Sequence, residues 1–183
     1  MFQTTPAIVF QQILRQGQPE AAAWIQGSAS WPQVAGSVKF YKTPYEGVLV
    51  EAQIFGLPNI RVSGSSDFYG MHIHENGDCT RPFSQAGDHY NAEELAHPQH
   101  TGDLLPLLGN QGYAYLLFYA KRFRLEEIVG RSVLIHRMPD DFRTQPSGAS
   151  GERIGCGISR YTDGREKEKY SGFTNGCSPC IIK

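Results

Sequence analysis

The stretch VLVEAQIF, residues 48–55, sets Val48, Val50, Ala52 and Ile54 at every second position. A strand turns alternate side chains to opposite faces, so these four form one apolar face. SVKFY (37–41), GYAYLLFYA (112–120) and SVLIHRM (132–138) are also rich in β-branched and aromatic residues, with Gly, Pro, Asn and Asp between them. Several short strands separated by turn signals predict an all-β sandwich or barrel. A chain of 183 residues suits one domain with a sizeable core. Its 20 glycines and 11 prolines agree with many turns and few long helices.

Outward from the strands the pattern changes. Thr5 followed by Pro6 can cap a short helix through AIVFQQILRQ that ends near Gly17, with Ile8, Val9, Ile13 and Leu14 as a narrow apolar stripe. Residues 75–111 and 137–152 form two long, strand-poor stretches, and loops of that length in a compact domain usually carry function. The tail from about Arg160, RYTDGREKEKY, is charged and expected to be solvated or disordered. A net charge of -1 gives no global attraction to nucleic acid or an anionic membrane, and no apolar run approaches a membrane span. The opening stretch has neither a basic n-region nor a true h-region. The expected location is therefore the cytoplasm, or the periplasm or cell exterior if an upstream segment is removed.

The segment GMHIHENGDC, residues 70–79, carries His72 and His74 one residue apart beside Cys79. On a strand the two imidazoles point together, while Met71 and Ile73 face an apolar layer. Taken alone, an H-x-H pair is more often a wet strand face. Here, however, all six histidines (His72, His74, His89, His97, His100 and His136) fall between residues 72 and 136, and Asp103 follows in HTGD. Imidazole is the commonest protein ligand for zinc and copper. Three histidines with one carboxylate can close a tetrahedral zinc site, and three or four imidazoles in a flatter array suit copper(II). Seven such groups exceed the needs of one ion, which points to two.

Cys79 and Cys156 are far apart in sequence, which permits a long-loop disulfide without specifying one. Cys177 and Cys180 form a single C-x-x-C in the polar tail. A second pair would be needed to complete a tetrathiolate, so this is a weak metal or redox signal.

GMHIHENGDC, AGDHYNAEELAH, HTGDL, GRSVLIHRMPDD and SGASGERIGCGIS together resemble the copper–zinc superoxide dismutase family, in the bacterial branch where a cysteine closely follows the H-x-H pair. The resemblance covers roughly residues 20–160 and keeps the elements in order. It implies an eight-stranded antiparallel Greek-key barrel, immunoglobulin-like in its sandwich form, with two long functional loops. Residues 1–19 are then an N-terminal extension, 20–160 the dismutase domain, and 161–183 a polar tail. By position, His72, His74 and His136 look like copper ligands, and His89 resembles the histidine that bridges copper and zinc. His97, His100 and Asp103 look like the remaining zinc ligands. Arg153 matches the arginine that holds the incoming superoxide anion. Asp140 is similar to the aspartate that links ligands of the two metals. Cys79 and Cys156 resemble the family's intrachain disulfide.

The resemblance further implies conversion of superoxide to oxygen and hydrogen peroxide by copper cycling, with His89 carrying a proton and zinc in a structural role. A homodimer is the candidate assembly. Two features depart from the family pattern inside the matched region: only Pro98 and Gln99 separate His97 from His100, and Glu152 stands directly before Arg153. A carboxylate there is expected to blunt anion attraction. The competing class is a non-catalytic copper- or zinc-binding module on the same fold, to which the C-S-P-C tail would suit copper(I). A binuclear hydrolase fits poorly, since such sites draw on more carboxylates and an open position for water.

Overall fold

The computed structural model describes residues 5–59 and 66–163. The expected β architecture is present. Seven strands join in one antiparallel sheet in the order β5-β8-β9-β1-β2-β3-β7, and β4 pairs separately with β6. They are β1 (Ala21–Gly27), β2 (Ala35–Lys42), β3 (Val48–Phe55), β4 (Phe68–Tyr69), β5 (Met71–His74), β6 (Leu107–Leu108), β7 (Ala114–Ala120), β8 (Ser132–His136) and β9 (Arg153–Tyr161). Only Gly70 separates β4 from β5, so these two act as one interrupted strand and the count becomes eight. β6 packs against β7 as well as pairing with β4, which closes the curled sheet into a barrel. The chain runs from β3 to β4, yet β3 pairs with β7, and β8 pairs back to β5. These out-of-order neighbours are the Greek-key crossovers.

The alternating face of β3 is the core face. Val50, Ala52 and Ile54 are fully buried and Val48 nearly so, packed with Phe40, Met71, Ile73, Val133 and Ile135. Three strands carry weaker sequence signals. β1 is AAAWIQG, in which Ala21, Ala22 and Ala23 are all buried, so it shows no clean alternation. β4 and β6 are two residues long. β9 continues through Tyr161, and the Thr162 amide donates to the Glu20 carbonyl. The stretch just after Arg160 thus belongs to the barrel rather than to a solvated tail, because its backbone completes the β1–β9 ladder. Cys177 and Cys180 lie outside the described residues.

An N-terminal helix, α1, spans Pro6–Gln16 and closes on Gly17 in the left-handed conformation. Thr5 stands at its start without a side-chain cap; the Thr5 carbonyl instead accepts from Ile8 and Val9. Phe10 of α1 stacks on Tyr119 of β7 at 5.2 Å between centroids and meets Tyr45 edge-on at 5.9 Å. Tyr119 points outward from the barrel, so α1 covers part of its outside. A short helix, α2 (Leu125–Ile128), precedes β8.

Candidate metal centre

The barrel brings the histidines together by register. β5 pairs with β8, setting Met71 opposite Ile135 and His72 opposite Leu134. A register shift between Ile135 and His136 follows, after which His136 lies opposite Arg153 at the start of β9. The loop carrying His89 is fastened to β5 through the backbone. Tyr90 donates to the Ile73 carbonyl, Ile73 to that of Gly102, and Gly102 to that of Tyr90. Isolated bridges then set His74 beside His89 and His72 beside Asp103.

Two four-residue groups result, His72/His74/His89/His136 and His89/His97/His100/Asp103. In each, the potential ligand atoms lie within 4.8 Å of one another and every residue is buried. His89 belongs to both. Its Nδ1 lies 2.7 Å from Asp103 Oδ1, while its Nε2 has no partner. Its ring stacks on His72 at 3.9 Å between centroids.

The distribution of satisfied and orphaned nitrogens tests whether metal ions fit. His72 Nε2 meets Asp140 Oδ2 at 3.1 Å, and His97 Nε2 meets Asp140 Oδ1 at 2.8 Å. His74 Nδ1 faces the Gly87 carbonyl at 3.0 Å, and His136 Nδ1 faces that of Gly151 at 3.4 Å. Nδ1 of His72, His97 and His100 is buried without a hydrogen bond, with Asp103 carboxylate oxygens 3.1 Å from that of His97 and 3.5 Å from that of His100. His74 Nε2 and His136 Nε2 face each other at 3.3 Å. Buried polar atoms are normally paired, and a ligating imidazole is normally anchored through its other nitrogen. In His72 and His97 one nitrogen is held by Asp140 while the other carries no hydrogen bond, an arrangement that an inner ion completes. Four imidazoles on one side suit copper, and three imidazoles with a carboxylate suit zinc.

The electrostatics agree with neutral, ligand-ready rings. Burial drives His72 down to about 4 and His74 down to about 2, and burial also pushes His136 well below its ordinary value. Burial would raise Asp140, but bonds from His72, the Phe142 amide and His97 outweigh it and hold the carboxyl at about 2. Asp140 therefore remains an acceptor for one ring of each group.

Arg153 opens β9. It lines a cleft of about 310 Å³ with His74, His89, His100 and His136. Its Nη1 and Nη2 donate to the carbonyls of Phe83 and Gly87, each at 2.7 Å. Among the described residues, no carboxylate makes an ion pair with it. Glu152 stands just before β9. Its carboxylate accepts from the Trp31 indole at 3.0 Å, and it lines a separate outer groove with Arg81 and Arg153. The acids that line the cleft are Glu75 and Asp88.

Cys79 and Cys156 are joined by a disulfide with Cα atoms 5.6 Å apart, across 77 positions of sequence. The bond ties the loop bearing Phe83 and Gly87 to β9, which bears Arg153. Four supporting residues carried no visible signal in the sequence: Gly87, Gly148, Gln145 and Arg122. A Cβ at Gly148 would lie 2.0 Å from Asp140 Oδ1 and 2.8 Å from His97 Nε2, at a φ of +67. Only glycine leaves room there for the Asp140 bridge.

Comparison with known proteins adds three findings. The family model described as copper/zinc superoxide dismutase matches residues 34–159. The chain is 30% identical to the copper chaperone for superoxide dismutase of Sus scrofa over 181 residues, covering 85% of this chain and 64% of that protein. It is 32% identical over 159 residues to copper–zinc superoxide dismutase 3 of Arabidopsis thaliana, covering 78% of this chain and 91% of that one. The chain thus spans less than two thirds of the chaperones it matches, and only 52% of the one from Rattus norvegicus. Among solved structures, a double mutant of a SOD-like protein from Bacillus subtilis superposes with a TM-score of 0.65 at 28% identity, covering 75% of this chain and 95% of that one.

Proposed function

The chain belongs to the copper/zinc superoxide dismutase family, and from that premise we propose that it dismutates superoxide to oxygen and hydrogen peroxide. One observation carries this reading: Arg153 shares a cleft with His74, His89 and His136 and makes no described ion pair. A metal carrier has no need of a fixed cation beside its ligands, whereas an enzyme acting on a small anion does. We assign His72, His74, His89 and His136 to copper, and His89, His97, His100 and Asp103 to zinc. Copper held there would supply a one-electron couple for superoxide, and zinc would be redox-silent.

The remaining chemistry falls to the chain itself. Arg153 presents a permanent planar cation to the incoming anion, held in place by two carbonyls rather than neutralised by a carboxylate. His89 Nε2, which has no protein partner, is placed to carry a proton for peroxide formation whenever it is not ligating a metal ion. Asp140 accepts from the rings of His72 and His97 and so sets their tautomer.

The near-equal identity to copper chaperones supports one alternative, a non-catalytic metal-binding module whose partner is a dismutase. Metal analysis and a dismutation assay on the same sample separate the two. Stoichiometric copper and zinc with fast dismutation is the expected result. Full copper and zinc without dismutation would establish the alternative.

A further inference from the structure

The His97–His100 segment is unusually short, with Pro98 and Gln99 alone between two buried histidines. Within it, the Gln99 amide donates to the Ala96 carbonyl and that of Asp103 to the His100 carbonyl. Two side chains from elsewhere bind its backbone. Gln145 Oε1 accepts from the His97 amide at 3.1 Å, and Gln145 Nε2 donates to the His97 carbonyl at 2.7 Å. Arg122, which follows β7, donates through Nη1 to the Pro98 carbonyl at 2.7 Å and to the His100 carbonyl at 3.3 Å. Neither residue has a ligand atom in the two groups described above.

We propose that Gln145 and Arg122 are positioning residues for zinc, clamping the two ends of this short ligand segment; the proposal rests on the zinc assignment given above. The argument is geometric. A ring's direction is set by its backbone as well as by its outer hydrogen bond. Asp140 restrains only the His97 ring, and nothing in its contacts fixes the backbone beneath it. Gln145 occupies both the donor and the acceptor of His97, so it fixes the two peptide units that flank the His97 Cα. Arg122 draws together the carbonyls on either side of Gln99, which holds His100 at the spacing Asp103 requires. The local turn bonds and the Asp103 carboxylate, which accepts from the His100 amide at 3.0 Å, leave the His97 amide and the carbonyls of His97 and Pro98 to these two side chains. Groups that orient a ligand typically change metal affinity by about 10–100-fold when removed.

The test uses the full chain and two kinds of substitution. Gln145→Met and Arg122→Met keep bulk but lose the hydrogen bonds, and Arg122→Lys keeps a donor. Cobalt(II) reports the geometry of the zinc group through its visible absorption, and zinc release to a chelator reports its hold. Copper affinity and the melting temperature of the metal-free protein are measured alongside. Zinc release faster by about tenfold in both Met variants, an altered cobalt spectrum, unchanged copper affinity of the zinc-free protein, and substantial recovery in Arg122→Lys are expected. Normal cobalt uptake with zinc released at the unmodified rate would overturn the clamp alone. Equal loss of copper and zinc with a lowered metal-free melting temperature would overturn it too, by reducing both residues to general scaffold. An unmodified chain that takes up no cobalt would remove the zinc assignment and the clamp together. Dismutase activity enters none of these readouts.

Discussion

Arg153 and His74 donate to the same acceptor: the Gly87 carbonyl receives Arg153 Nη2 at 2.7 Å and His74 Nδ1 at 3.0 Å. The cation and a copper-type ligand are thereby set relative to one another through one oxygen. Arg153→Glu is expected to lower the second-order rate on the order of tenfold or more while copper and zinc content stay intact. Arg153→Lys should cost less, since it keeps the charge and loses the planar fork. Fully metallated Arg153→Glu protein working at the unmodified rate would remove this residue from the reaction.

The acids around Arg153 are predicted to act unequally. Asp88 lines the cleft, whereas Glu152 is turned to Trp31 in the neighbouring groove. Asp88→Asn should raise the rate at low salt more than Glu152→Gln does, and both gains should shrink as ionic strength rises. Stopped-flow rates across a salt series check the order.

Gly148 offers a separation of strain from collision. Gly130 also has a positive φ, of +87, but nothing lies within 4 Å of the Cβ position there. Gly130→Ala should cost about 1 kcal/mol of stability through backbone strain alone. Gly148→Ala should cost more and also weaken metal binding, because its methyl would displace Asp140. Melting curves and zinc release of the two variants are compared directly.

Acid should loosen the metal-free protein. An unfolded histidine titrates near 6.5, while folded His72 titrates at about 4 and His74 at about 2. Between those values the unfolded chain binds more protons, so stability falls as pH drops from about 6.5 toward 4. His72 alone accounts for roughly 3 kcal/mol of that loss. Above pH 7 the dependence should flatten, as both states are then neutral. A metal-free melting temperature unchanged between pH 7 and 5 would contradict the burial argument.

Breaking the disulfide should affect the cleft as well as the fold. Closing a loop across 77 positions stabilises by about 4 kcal/mol on the chain-entropy model. Cys79→Ser with Cys156→Ser should lower the melting temperature and also reduce the rate of the metallated protein, since the loop supplies both carbonyls that hold Arg153. A melting temperature unaffected by the double change would refute the first part.

Much of this was legible before any coordinates. β3 announced itself by alternation, because one face packs the core, and the six histidines announced a metal centre by clustering. Other parts were hidden for physical reasons. β1 is alanine-rich and buried at consecutive positions, so periodicity has nothing to register. β9 carries Gly155 and Gly157, which read as turn residues. A Cβ at Gly157 would lie 2.5 Å from the Trp24 carbonyl, so the glycine there serves close strand contact. Gln145 and Arg122 act on backbone atoms, and no residue spacing advertises such a contact.

The single carboxylate of Asp140, accepting from one ring of each histidine group, has a consequence for how the protein fills. Whichever ion arrives first freezes a ring that Asp140 touches, and the carboxylate transmits that restraint to the ring on the other side. The ordering entropy of the second site is then already partly spent, so the second ion binds more tightly than it would alone. The effect must be mutual, with each ion raising the other's affinity by the same factor. Loading should therefore be cooperative, with half-filled molecules scarce at equilibrium.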